Sequence, residues 1–138
     1  MSKKKHILQN ELNPDYYIYG IASSDAEFQL SLKLNALLSV KLTLDQPVKK
    51  EHKGNSLNFP TLRYLDEQEL QISLIKNKHN NSILFSNQQA FDYILIFTGF
   101  EAQKTAASLI SNVKKLENIT LASPIDISKL SSFKSILK

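Results

Sequence analysis

The stretch ILFSNQQAFDYILIFTGF, residues 83–100, decides how the chain is read. Its polar middle, Ser86 to Gln89, has turn chemistry and is followed by Asp92, Tyr93 and the run Ile94-Leu95-Ile96-Phe97. An apolar run of β-branched and aromatic residues, with turn residues before it and Gly99 after it, reads as a buried strand. An acid therefore stands at the mouth of that strand. As a catalytic group or ligand anchor, Asp92 would need a cleft and a perturbed pKa. As a structural residue it would accept hydrogen bonds from nearby backbone N–H groups. The preceding turn chemistry favours the structural role: Asp92 ties a loop to the start of a central strand, and Tyr93 fixes which face of that strand is buried.

Working outward, residues 16–23, YYIYGIAS, read as a strand, with Gly20 a bulge or a point of close approach. Residues 24–39 carry two patterns. Phe28, Leu30, Leu32 and Leu34 alternate as in a strand, while Ala26, Leu30, Leu34, Leu37 and Leu38 form a helical stripe. Ser24-Asp25-Ala26-Glu27 has the form of a capping box, and Val, Ile, Thr, Gly and Pro are absent from 25–39, which decides for a helix over 24–39. Residues 40–45 read as a strand. The polar stretch 46–58, with Pro47 and Gly54, reads as a mobile loop. Residues 59–66 and 69–77 read as strands, 77–81 as a turn and 82–85 as a short strand. Ala102, Ala106, Leu109, Ile110 and Val113 make a second helical stripe over 101–115, with Glu101 at its start and Lys114 and Lys115 near its end to suit the helix dipole. Residues 118–123 form a last strand, and Leu130, Phe133 and Leu137 have the spacing of a short C-terminal helix capped by Asp126. The expectation is an α+β fold: a mainly antiparallel sheet of about five to seven strands, with helices 24–39 and 101–115 packed on one face.

The 138 residues fit a single domain spanning 1–138, with 1–14 as a partly flexible N-terminus. With no cysteine, disulfides, thiolate metal sites and thiol catalysis are excluded. Lys3 to Lys5 are not followed by the apolar core of a signal peptide, and no run reaches the length of a membrane span. A cytoplasmic location without membrane contact is expected. The net charge is +4, yet only Arg63 among the 17 basic residues is an arginine, and the lysines are scattered. Arginine is the usual reader of phosphate and guanine, so a solvated basic surface with weak or no nucleic-acid binding is expected.

Motifs for chemistry are sparse. His6, His52 and His79 lie far apart without metal-ligand spacing, and no metal site is expected. Three glycines, Gly20, Gly54 and Gly99, cannot write a phosphate-binding loop. Gly99 reads as a tight strand-to-helix turn in preference to an anion site at the helix start. Asp66, Glu67 and Glu69 read as a charged turn. Tyr16, Tyr17, Tyr19 and Tyr64 fall on strands, where they are half-buried core or interface residues more often than base-stacking platforms. Neither a catalytic constellation nor a cofactor site emerges.

The segment FSNQQAFDYILIFTG resembles the signature of the IPExxxVDY family of small bacterial, Bacteroidetes-type proteins. Phe85 and Phe91 take the Ile and Val positions, Asp92 and Tyr93 match, and Ser86 and Asn87 stand where the family has Pro and Glu. The strand, the acidic-aromatic helix carrying Leu34-Asn35 and the Pro124-Ile125-Asp126 turn are similar to the family's order of segments. The resemblance implies no catalytic role for any of these positions. Asp92, Tyr93, Gly99, Asn35, Tyr17, Tyr19 and Tyr64 are therefore expected as structural or interaction positions. The expected function is a non-catalytic protein–protein interaction or homodimerising module, with a protein partner or itself. The alternatives are an RNA-associated accessory protein, or an enzyme or small-ligand-binding protein with a site near Asp92 and Gly99.

Overall fold

The computed structural model describes residues 16–113 and 115–129. Strand β1 (Tyr16–Ser23) leads into helix α1 (Glu27–Leu38), then into β2 (Thr43–His52), β3 (Asn55–Leu65) and β4 (Gln71–Lys76). Two short strands, β5 (Lys78–His79) and β6 (Ser82–Ile83), precede β7 (Tyr93–Thr98), helix α2 (Ala102–Val113) and β8 (Ile119–Pro124). Six strands form one sheet in the order β2-β3-β4-β7-β1-β8, every pairing antiparallel, and β5-β6 is a separate hairpin. The fold is α+β, with both helices packed into one core on one face of the sheet. No helix among the described residues is long and apolar enough to cross a membrane.

The apolar run of the opening stretch is β7, which lies between β4 and β1 and is buried on both sides. Tyr93, Leu95 and Phe97 point toward the helices, where they join Ile21, Leu30, Leu34, Ile72 and Leu74. Ile94 and Ile96 point the other way, into a second cluster with Ile18, Phe59 and Ile75. Among the described residues no α-helix packs on that face; Leu84, Phe85 and Phe91 cover it from the segment before β7. A strand covered on both faces needs apolar side chains at every position, which is why alternation disappears here. Each fully buried Leu or Phe of such a strand contributes about 1.5–3 kcal/mol relative to exposure.

Several boundaries move from their sequence readings. The stretch 46–58 is a β-hairpin and not a loop: β2 runs to His52 and β3 begins at Asn55. Lys53 (φ 53°) and Gly54 (φ 81°) make its turn, both left-handed as a two-residue hairpin requires. Pro47 is tolerated because β2 is an edge strand and the register shifts between Asp45 and Val48. The turn at 77–81 is likewise a hairpin, with Asn80 (φ 51°) and Asn81 (φ 63°) at its corner, and the strand expected over 82–85 shrinks to Ser82–Ile83. Helix α1 starts at Glu27, with Ala26 as its N-cap. The Ala26 N–H donates to Gln29 Oε1 at 3.1 Å, while the side chain of Ser23 accepts the Asp25 N–H. The expected Ser24 cap therefore does not form. The N-terminal 1–14 and the C-terminal stripe Leu130, Phe133, Leu137 lie outside the described residues.

Candidate functional site

Asp92 sits where β1 ends and β7 begins. Its N–H donates to Ile21 O at 2.9 Å, and its Oδ2 accepts the Ser23 N–H at 2.8 Å. Its Oδ1 lies 3.5 Å from Lys78 Nζ, and its carbonyl accepts the Asn77 N–H at 2.8 Å. One residue thus joins β1, the 77–91 segment and the start of β7. The side chain is 36% exposed and engaged on both oxygens.

Tyr93 is 1% exposed, and its hydroxyl donates to Asp25 O at 2.6 Å. Burial pushes its pKa far above the ordinary tyrosine value, and the charges of Glu27, Asp92 and Asp25 push in the same direction. The group stays protonated and acts as a fixed donor. Asp25 is buried, with Oδ2 2.7 Å from Lys33 Nζ and Oδ1 3.0 Å from Asn118 Nδ2. These two hydrogen bonds, Lys33 first, hold its pKa below the ordinary aspartate value against the cost of desolvation. Lys33 Nζ also donates to Glu117 O at 2.8 Å, so α1 is pinned to the turn before β8. Desolvation works against the Glu27 carboxylate, but its own backbone N–H and Lys76, 3.2 Å away, outweigh it and its pKa falls. The bonds Tyr93–Asp25, Asn118–Asp25, Lys33–Glu117 and Lys76–Glu27 each tie separate parts of the fold together, and among the described residues each buried side-chain N or O atom has a partner.

The remaining expected positions are also placed by packing. Gly99 has φ 97°, and a Cβ there would collide with the Glu69 carbonyl, so the strand-to-helix turn requires glycine. Asn35 closes the end of α1: its carbonyl accepts the Val40 N–H at 3.2 Å and its Oδ1 accepts the Leu42 N–H at 2.9 Å. Tyr17, Tyr19 and Tyr64 are half-buried against the helix-side core, and Tyr19 meets Phe97 edge-to-face with ring centroids 6.2 Å apart. The face carrying these tyrosines is the one the helices cover. Asp92 and Gly99 flank β7 at opposite ends, roughly 20 Å apart at the rise of a strand, and do not converge on one site. His52 is exposed on the β2 end and His79 is half-buried on β5; among the described residues no group of three His, Cys, Asp or Glu is arranged to hold a metal ion.

Two features had no reading in the sequence. Asn77 is fully buried; its Nδ2 donates to Gln88 O (3.1 Å) and Phe91 O (2.9 Å), and its Oδ1 accepts the Phe85 N–H at 2.9 Å. It holds the covering segment 84–91 onto the sheet. Nothing in the local sequence distinguishes this asparagine from the polar turn beside it.

The second feature is the outer face of α1. Phe28 is 65% and Leu32 53% exposed, and Ala36 follows on the same i, i+4 row. Leu30 and Leu34 on the other side of the helix are fully buried. Helix α1 is therefore apolar on both faces. Leu44 on the edge strand β2 is 76% exposed and pairs across the ladder with buried Leu62 of the helix-side core, so it faces the same side of the sheet as α1. The signal was present in the sequence: Phe28 and Leu32 fit the alternating pattern and not the helical stripe.

No family model matches the chain, and no curated protein matches it.

Proposed function

We propose that the protein is a non-catalytic interaction module of the IPExxxVDY type, working in the cytoplasm, and that the outer face of α1 is its contact surface. The observation that carries this reading is the exposed apolar row Phe28-Leu32, with Leu44 of the edge strand β2 exposed on the same face of the sheet. Phe28 and Leu32 lie outside the buried stripe of α1 and fill none of the core, and exposed apolar patches mark association surfaces. The polar network around Asp25 and Asp92 supports a structural role for those residues, since its bonds end on backbone groups and on partner side chains of the fold. Charge supports a protein partner over nucleic acid: residues 16–113 and 115–129 hold eleven basic and eleven acidic side chains, so the net +4 of the chain is carried by the others.

The test is photo-crosslinking in the host cell, with a photoreactive side chain at position 32 and, as control, at exposed position 104 on α2. A discrete adduct at 32 and not at 104 supports the reading. Equal background at both positions contradicts it.

A further inference from the structure

Independently of the α1 surface, we propose that segment 84–91 is a strap that opens and closes as one unit over the sheet face opposite the helices, and that Lys50 on the β2-β3 hairpin is its outer latch. The segment contains no helix or strand, yet it covers one of the two apolar faces of the sheet. Two residues outside it hold it by hydrogen bonds. Asn77, fully buried just past β4, holds it from beneath: its carbonyl accepts the Leu84 N–H at 2.7 Å, and its side chain binds backbone groups of Phe85, Gln88 and Phe91. Lys50 holds it from the rim. It is half-buried near the end of β2, and its ammonium donates to Leu84 O at 2.8 Å and to Ile83 O at 3.3 Å. Bonds from a charged donor are stronger than neutral ones. β3 pairs with β4 only from Thr61 onward, so the part of the hairpin that carries Lys50, opposite Leu57, projects past β4 as an arm. Moving that arm withdraws the ammonium from the strap and breaks no ladder bond of the central strands. An irregular segment held at a few points opens at lower free energy than a central ladder. When the strap lifts, Leu84, Phe85 and Phe91 leave their cluster, and Ile75 and Ile94, neighbours across β4 and β7, meet water. Ile75 shares the face of Asn77, two residues further on, and so lies under the strap.

Because the chain has no cysteine, a single introduced thiol reports the opening. Ile75→Cys places it under the strap, and Leu74→Cys places it in the helix-side core, where it is also buried. Ile94→Cys replaces Ile75→Cys if that variant does not fold. The full chain is labelled with excess iodoacetamide in increasing low concentrations of urea. A thiol exposed by a local opening reacts at a rate that depends weakly on urea, whereas one exposed by global unfolding depends on it steeply. The thiol at 75 is expected to react at least about tenfold faster than that at 74, and with the weaker urea dependence. Lys50→Met keeps the aliphatic stem and removes the donors, and should speed labelling at 75 by about another tenfold. Lys50→Arg, which keeps charged donors, should restore most of the protection. Lys49→Met, at the exposed neighbouring position on the opposite face of β2, should leave the rate unchanged. Equal rates at 75 and 74 with the same steep urea dependence would overturn the strap, because the face would then be reached only by global unfolding. An unchanged rate at 75 in Lys50→Met, or an equal rise in Lys49→Met, would overturn the latch.

Discussion

Asp92 directs its side chain at a backbone N–H of β1 and its backbone at Ile21 and Asn77. Asp92→Ala removes the acceptor from Ser23 N–H and the partner of Lys78, and should lower stability by about 1–2 kcal/mol in urea unfolding. A ligand-binding carboxylate would instead leave stability unchanged when removed. Tyr93→Phe tests the neighbouring bond: it keeps the ring in the core and leaves the Asp25 carbonyl without its donor, for a loss of about 1 kcal/mol. Asp25 gives a pH dependence of defined sign. Its folded pKa is depressed by Lys33 and Asn118 below the unfolded value of about 3.9. The stabilisation is therefore present above that value and is lost as pH falls through the lower, folded pKa. Unfolding free energies measured across the acid range should fall less steeply in Asp25→Asn than in wild type; parallel profiles would contradict the assignment.

Among the elements, β7 and the two helices were legible in the sequence, for physical reasons particular to each. β7 is covered on both faces, and an unbroken apolar run bounded by turn residues has few other readings. Helix α2 has a single buried stripe: of its expected members, Ala102, Ala106, Leu109 and Val113 are buried, and Ile110 is half-buried. The β2-β3 hairpin was hidden because an edge strand buries little and tolerates proline, so its residues look like a loop. The cover 84–91 was hidden because a single side chain, Asn77, organises it through contacts as far away as Phe91. Asn77→Ala leaves the buried Phe85 N–H unsatisfied and frees two carbonyls, and should cost about 2–4 kcal/mol. Hydrogen exchange should then rise selectively over 84–91; a uniform rise across the sheet would show that the cover is not a separate unit. Gly20 belongs to the same packing, since a Cβ there would collide with the Phe91 ring. Gly20→Ala is expected to displace the cover and to lower stability by about 1–3 kcal/mol.

At the scale of the whole molecule, the sheet is buried on one side by helices and on the other by its own covering segment; of the large apolar side chains that remain exposed, Phe28 and Leu32 share one row of α1, Leu44 lies on β2, and Leu65, Phe100, Leu121 and Ile127 lie on other elements. The double pattern of residues 24–39 now has a physical cause. The helical stripe faces the sheet, and the leftover members of the alternating set, Phe28 and Leu32, face outward. Had this face been evolved only for solvent, polar residues would serve there at no cost to the core, because neither side chain fills it. The most direct measurement is therefore the double variant Phe28→Gln/Leu32→Gln, carrying the photoreactive side chain at position 36 in the host cell, with unfolding followed on the dilute protein. The account predicts unfolding free energy within about 0.5 kcal/mol of the parent, together with loss of the adduct that the parent gives at position 36. Undiminished adduct in the double variant, or a large loss of stability, would contradict it.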